Sequence, residues 1–257
     1  LLGQPIHCLA MRFLGSALRM PHEQGGFRER MVVAVERCVP MGQIVSAGEA
    51  ACTEPLSVCL HALNQAGSAE GKRVIVSGSG PIGVLMVAAL RHAGAREIVA
   101  TDIEDTALSI AMKMGATSAK NVLRHPEVLE PYKAERGQFD LAFECTGQSS
   151  AIASSIAVLA PRGTLVQVGL ANEATLPIGT LVGKEIVLRG SQRFHSEFTW
   201  AAELISARNI DVRPMLTHTF ELSDAVAGFT IAGDRSRASK VQIALSNDRA
   251  LNRGGSE

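Results

Sequence analysis

Along residues 73–190, short apolar runs alternate with segments whose apolar positions recur at helical spacing. "RVIVSG" (73–78), "EIVATD" (97–102), "FDLAFE" (139–144), "TLVQVG" (164–169) and "KEIVLRG" (184–190) have the length of buried strands, and "TSAKNV" (117–122) reads as a further short one. Continuous apolarity, rather than alternation, marks strands covered on both faces. Between them, "PIGVLMVAALRHAG" (81–94) predicts a helix with Pro81 in its first turn and Gly94 at its stop. "EDTALSIAMKMG" (104–115) sets Leu108, Ala111 and Met112 on one side, and Gly115 closes it. "QSSAIASSIAVLA" (148–160) predicts a third helix, broken by "PRG", while the polar, twice proline-bearing 123–138 predicts a loop around a short helix. Six strands with intervening helices imply an α/β fold built on a doubly wound parallel sheet.

The flanks read differently. Residues 1–53 hold extended patches such as "RMVVAV" (30–35) and little helical periodicity. Beyond 190, "EFTWAAELISARNI" (197–210) predicts a helix, a short helix follows near 222–231, and "KVQIAL" (240–245) predicts a closing strand before a disordered tail. Hydrophobic residues at 46% and charged residues at 19% fit a globular chain, and its 257 residues suffice for two domains. Lys plus Arg and Asp plus Glu are 25 each, which gives no electrostatic case for a nucleic-acid partner or a membrane surface. "IGVLMVAAL" is about half the apolar length a bilayer needs, and the first residues lack the basic start of a signal peptide. A cytoplasmic protein is expected. Five cysteines without a CxxC pair argue against a disulfide framework.

The sharpest motif is "VIVSGSGPIG". Gly78, Gly80 and Gly83 form GxGxxG between a predicted strand and a predicted helix. The first glycine permits the tight turn, the second lets backbone approach a pyrophosphate, and the third allows close helix–sheet packing. Asp102 ends the next strand 19 residues after Gly83, where a carboxylate receives a ribose diol and repels a 2′-phosphate. This favours NAD over NADP. A methyltransferase also uses a glycine turn and a following acid, but does not call for a helix opening on "PIG". "FECTG" (143–147) and "LVQVGL" (165–170) end at the same sheet edge, so Cys145, Thr146, Val168, Gly169 and Leu170 are candidates to line a nicotinamide pocket, or are plain strand ends. Arg193 follows the sixth strand and could hold an anion, whereas His195 reads as a surface residue. Glu54, with Pro55 at the first helical position, could simply complement a helix dipole or could touch metal or substrate. No histidine pair has the spacing of a helical zinc site.

"GSGPIG" with Asp102, "EPLSV", "FECTG", "GTLVQVGL" and "RGSQRF" resemble the medium-chain zinc-dependent alcohol and polyol dehydrogenases, in the sorbitol dehydrogenase branch. "MRFLGSALRMPHEQGGFRERMVV" (11–33) and "DVRPMLTHTFELSDAVAGF" (211–229) are similar to its idonate 5-dehydrogenase subgroup. The resemblance implies a Rossmann domain (55–190) inserted in a partial GroES-like β domain made of 1–54 and a return segment, 191–257, with the disordered tail after about 246. It implies NAD as cofactor, and zinc in the full-length family. Ile82, Asp102, Val168, Gly169, Leu170, Gln192, Arg193 and Phe194 would contact the cofactor, Glu54 would lie at the zinc, and Arg193 would face the substrate. Cys8 matches the last cysteine of a structural zinc lobe. Phe194 stands where the branch often has Tyr, and Ala107 where an arginine can meet the adenosine ribose. No Gly-His-Glu triplet of the family's zinc site occurs in the chain, so a piece of a longer enzyme is expected.

The reaction expected is NAD-linked oxidation of a secondary alcohol of a polyol or sugar acid. The rival is a non-catalytic NAD-binding or oligomerisation module. A homo-dimer or homo-tetramer is expected, with "ATLPIGT" (174–180) offering a strand across its interface.

Overall fold

The structure is a computed structural model that describes residues 5–245. The expected disordered tail after 246 lies outside the described residues. After a short α1 (Ala47–Ala50), α2 (Thr53–Ala66) leads into β1 (Arg73–Ser77), α3 (Pro81–His92), β2 (Glu97–Asp102), α4 (Asp105–Lys113) and β3 (Ser118–Asn121). A 3-10 segment, Pro126–Arg136, crosses to β4 (Phe139–Glu144), α5 (Ser149–Val158), β5 (Leu159–Gln167), α6 (Ile178–Gly183) and β6 (Val187–Gly190). The chain returns through α7 (Glu197–Ser206), β7 (Leu216–Glu221), α8 (Ala225–Ala232) and β8 (Lys240–Ala244).

The six strands pair in the order β3-β2-β1-β4-β5-β6, all parallel. Strand order reverses between β1 and β4, and ligands of such sheets bind outside the carboxyl ends at that point. Residues of β1, β2, β4 and β5 feed two separate cores. Val74, Val76, Ile98, Ala100, Leu141, Phe143 and Val166 pack beneath α2, α3 and α7. Ile75, Val99, Phe139, Ala142 and Leu165 pack beneath α5 on the other face. That double burial explains the apolar runs of β1, β2, β4 and β5, whereas β6, at the sheet edge, is exposed along its length.

Several boundaries differ from expectation. Helix α2 starts at Thr53, so Pro55 is its third residue, not its first. This costs nothing, because the first four N–H groups of a helix have no partner within it. "ATLPIGT" does not form a strand. Its last three residues open α6, where the Thr180 N–H donates to the Pro177 carbonyl at 3.0 Å. Strand β5 begins at Leu159, directly after α5, and runs through "PRG" with a register shift against β4. Strand β6 begins three residues late, because Lys184 caps α6 and Glu185 has φ +53°.

Residues 30–35 form no ladder, and within 5–54 no β-strand occurs. Val32 is 101% exposed, and an extended run without a partner strand gains nothing from its β propensity. Strands β7 and β8 pair in parallel as a separate two-stranded sheet, with α8 packed against both.

Candidate functional site

The turn between β1 and α3 is shaped by its glycines. Gly78 has φ +89°, and a Cβ there would meet Thr146 Cγ2 at 2.5 Å. A Cβ on Gly83 would sit 1.8 Å from the Gly78 carbonyl oxygen, so helix α3 touches the turn that precedes it. Gly80 differs: it caps α3 with ordinary extended angles, and nothing lies within 4 Å of the place a Cβ would take. Of the three, only the second glycine thus faces open space. Pro81 follows at the first helical position, where its fixed φ suits the helix. Ile82 is half-buried behind it and accepts the Cys59 thiol at 3.3 Å through its carbonyl.

Asp102 closes β2 beside this turn. One carboxylate oxygen accepts the Ser79 N–H at 2.6 Å; the other accepts the N–H groups of Ile103 at 2.7 Å and Glu104 at 3.0 Å. The acid therefore fixes the glycine turn.

Across the switch point, Glu144 ends β4 wholly buried. Its carboxylate accepts the N–H of Thr146 at 2.7 Å and of Gly147 at 2.8 Å, the Thr146 hydroxyl, and the Gln167 side-chain amide. Its carbonyl accepts the N–H groups of Val168 and Gly169, both at 2.8 Å. A buried carboxylate is tolerable only with such a set of donors. Glu144 so ties together the two strand ends that carry the nicotinamide-pocket candidates, and sequence reasoning missed it. The only signal is a charge ending an apolar strand just before Cys-Thr-Gly. Gly169 fits because a Cβ would meet the Gly147 nitrogen at 2.3 Å, while Leu170 is 94% exposed at the rim. Burial pushes the Cys145 thiol up, so it stays protonated and forms wall, not nucleophile.

The residues expected at the substrate end divide. Glu54 opens to solvent near the start of α2, yet the surrounding protein raises its carboxyl by desolvation, against the pull of Lys240 and Arg193. It makes no hydrogen bond among the described residues. Arg193 holds φ +60°, and its guanidinium stacks on the Phe13 ring at 3.9 Å. Gln192 and Arg193 line one cavity with His7 and Cys8. Phe194 stacks on Phe198 with centroids 5.7 Å apart. His195 is exposed, and its backbone N–H donates to Glu197 at 2.9 Å.

A parallel sheet in this strand order, with a glycine turn and an acid at its switch point, defines the Rossmann class of nucleotide-binding α/β proteins. The chain belongs to the zinc-binding dehydrogenase family, whose pattern ("Zinc-binding dehydrogenase") matches residues 81–207. It is 41% identical over 239 residues to L-idonate 5-dehydrogenase (NAD(P)(+)) of Escherichia coli strain K12, covering 92% of this chain and 68% of that protein. It is 33% identical over 232 residues to sorbitol dehydrogenase of Gallus gallus, covering 89% and 64%. The crystal structure of the L-idonate 5-dehydrogenase of E. coli K-12 superposes with a TM-score of 0.89 at 40% identity, covering 93% of this chain and 69% of that one. The chain spans about two thirds of the length of these relatives.

The family name implies zinc, but among the described residues no three His, Cys, Asp or Glu side chains gather to hold a metal ion. His7 is the one other such donor lining the cavity of Cys8, and neither Cys8 nor Glu54 belongs to a group of three such side chains among the described residues. The described donors do not make a zinc site on their own. No helix among the described residues is long and apolar enough to cross a membrane.

Proposed function

We propose that this chain binds a nicotinamide dinucleotide at the β1–α3 turn and serves the oxidation of a secondary alcohol of a polyol or sugar acid. The observation that carries this reading is the open space at Gly80, bounded by Asp102 at the switch point of the sheet. The pyrophosphate lies over Gly78 and Gly80 at the start of α3, where unpaired N–H groups and the helix dipole favour an anion. Asp102 receives the ribose hydroxyls and disfavours a 2′-phosphate, which sets NAD above NADP. Ile82 borders the adenine side; Thr146, Val168, Gly169, Leu170, Gln192 and Phe194 border the nicotinamide half. A nicotinamide bound there would supply the hydride acceptor for the alcohol carbon, the hydroxyl proton leaving to solvent. Glu54 accepts a hydrogen bond from a substrate hydroxyl, and Arg193 orients the substrate. The relatives' names support the substrate class. The protein works in the cytoplasm on a small polyol or sugar acid, as a homo-dimer or homo-tetramer.

The test is a fluorescence titration with NADH and NADPH. Saturable NADH binding at least about tenfold tighter than NADPH is expected from one unfavourable phosphate–carboxylate contact. Binding of S-adenosylmethionine in place of NADH would sink the reading. A second reading, a non-catalytic NAD-binding module, is favoured by the sparse metal donors among the described residues. NADH binding without NADH formation from any hexitol or hexonate, zinc supplied, would select it.

A further inference from the structure

The loop after β6 and residues 6–19 line an open cavity of about 510 Å³, large enough for an open six-carbon chain. Its wall includes His7, Arg19, Gln192 and Arg193, and no Asp or Glu. Neither arginine has a carboxylate partner among the described residues. Arg19 spends one N–H on the Leu9 carbonyl. Arg193 lies face-down on Phe13, which occupies the flat face of the guanidinium and leaves its edge donors free. The residue is held in a left-handed backbone conformation that non-glycine residues rarely take, so its direction is built in. Arg193 is also near enough to Glu54 to pull on its carboxyl, though Glu54 does not itself line this cavity. Two cations sharing one cavity repel until an anion sits between them. The chain as a whole is charge-balanced, so this concentration is local.

We propose that this cavity holds the terminal anionic group of an open-chain polyol substrate, carboxylate or phosphate, between Arg19 and Arg193, and that Arg19 sets the preference for anionic over neutral polyols. This rests on the reading above, which gives Arg193 to the substrate; Arg19 is the added specificity residue.

The test is calorimetric titration of the full chain with a six-carbon aldonate, a hexitol 1-phosphate and a neutral hexitol, each with and without saturating NADH. At least one anion is expected to bind about tenfold tighter than the hexitol, the worth of one charge-assisted pair of hydrogen bonds. Which anion does so tells carboxylate from phosphate. Arg19→Met should cut the anion preference several-fold, Arg193 keeping the remainder, with melting temperature and NADH affinity unchanged. If Arg19→Met melts early, Arg19→Lys decides: it should keep a reduced preference. A hexitol that binds as tightly as both anions, or a preference undiminished in Arg19→Met, overturns the proposal. So does an Arg19→Met variant that loses NADH instead of the anion, since the cavity would then serve the cofactor. Failure of NADH to bind at all defeats the cofactor reading alone, because the cofactor-free titrations still report the anion preference.

Discussion

Gly80 and Gly83 lie two and five residues after Gly78, and within the motif they look interchangeable. Their surroundings set them apart. A Cβ on Gly83 would stand 1.8 Å from the Gly78 carbonyl oxygen, while one on Gly80 would meet nothing within 4 Å. Gly83→Ala should therefore cost about 3 kcal/mol or more of stability, as overpacking against backbone that cannot yield. Gly80→Ala should leave the melting temperature nearly unchanged and weaken NADH binding about tenfold or more, because its methyl fills the space a pyrophosphate approaches. Denaturant melts and NADH titrations of the two variants check this; equal effects on both readouts would refute the division. Asp102→Asn should lower NADH affinity and narrow the gap to NADPH, since the amide no longer repels a 2′-phosphate. Titration with both cofactors reads it. These positions were legible in the sequence because a turn that needs glycine and a strand that ends in acid leave local marks. Glu144 left only a charge at a strand end, and Arg19 left nothing: the role of the first is defined by donors that folding brings to it, that of the second by a cavity formed by two distant segments.

Among the elements, α5 shows how a charge can be buried for structural reasons. Its C-terminal carbonyls would otherwise face the sheet unpaired. Lys184, buried after α6, donates from Nζ to the carbonyls of Ile156 at 3.2 Å, Ala157 at 2.7 Å and Leu159 at 2.8 Å. A cation at a helix C-terminus also opposes the negative end of the dipole. Burial lowers the affinity of this amine for its proton, and the nearby Arg136 lowers it further. Lys184→Met keeps the bulk and removes all three donors, so it should cost about 2–3 kcal/mol, the usual worth of hydrogen bonds to a charged group. A urea midpoint unchanged from the parent would show the contacts to be idle. The strands that flank this helix were readable from their apolar runs. Lys184 was not, because its partners lie 25 to 28 residues earlier and its own neighbours mark only a turn.

At the scale of the whole molecule, the expected division at residue 190 is bridged by a continuous core. Ala201, Leu204 and Ile205 of α7 pack with Leu56, Leu60 and Leu63 of α2 and with the body of α3. Beside that apolar seam lies a buried polar one. Glu197, at the start of α7, accepts from His61 at 3.0 Å and Asn64 at 3.0 Å on α2, and from the His195 N–H at 2.9 Å. Burial alone would raise its carboxyl, but the His195 backbone, His61, its own backbone N–H and Asn64 outweigh burial and bring it down to about 2. A carboxyl held below its unfolded value stabilises the fold above about pH 4.5, and that stability is lost as the pH falls toward 2. The full loss is about 3 kcal/mol. Urea unfolding of the parent and of Glu197→Gln at pH 6, 4 and 3 tests this. The parent should be the more stable at pH 6, and the difference should shrink steadily as the pH drops, because protonation makes the parent resemble the variant. A difference that stays constant across that range would mean that the seam between α2 and α7 is held by packing, with the charge on Glu197 contributing nothing.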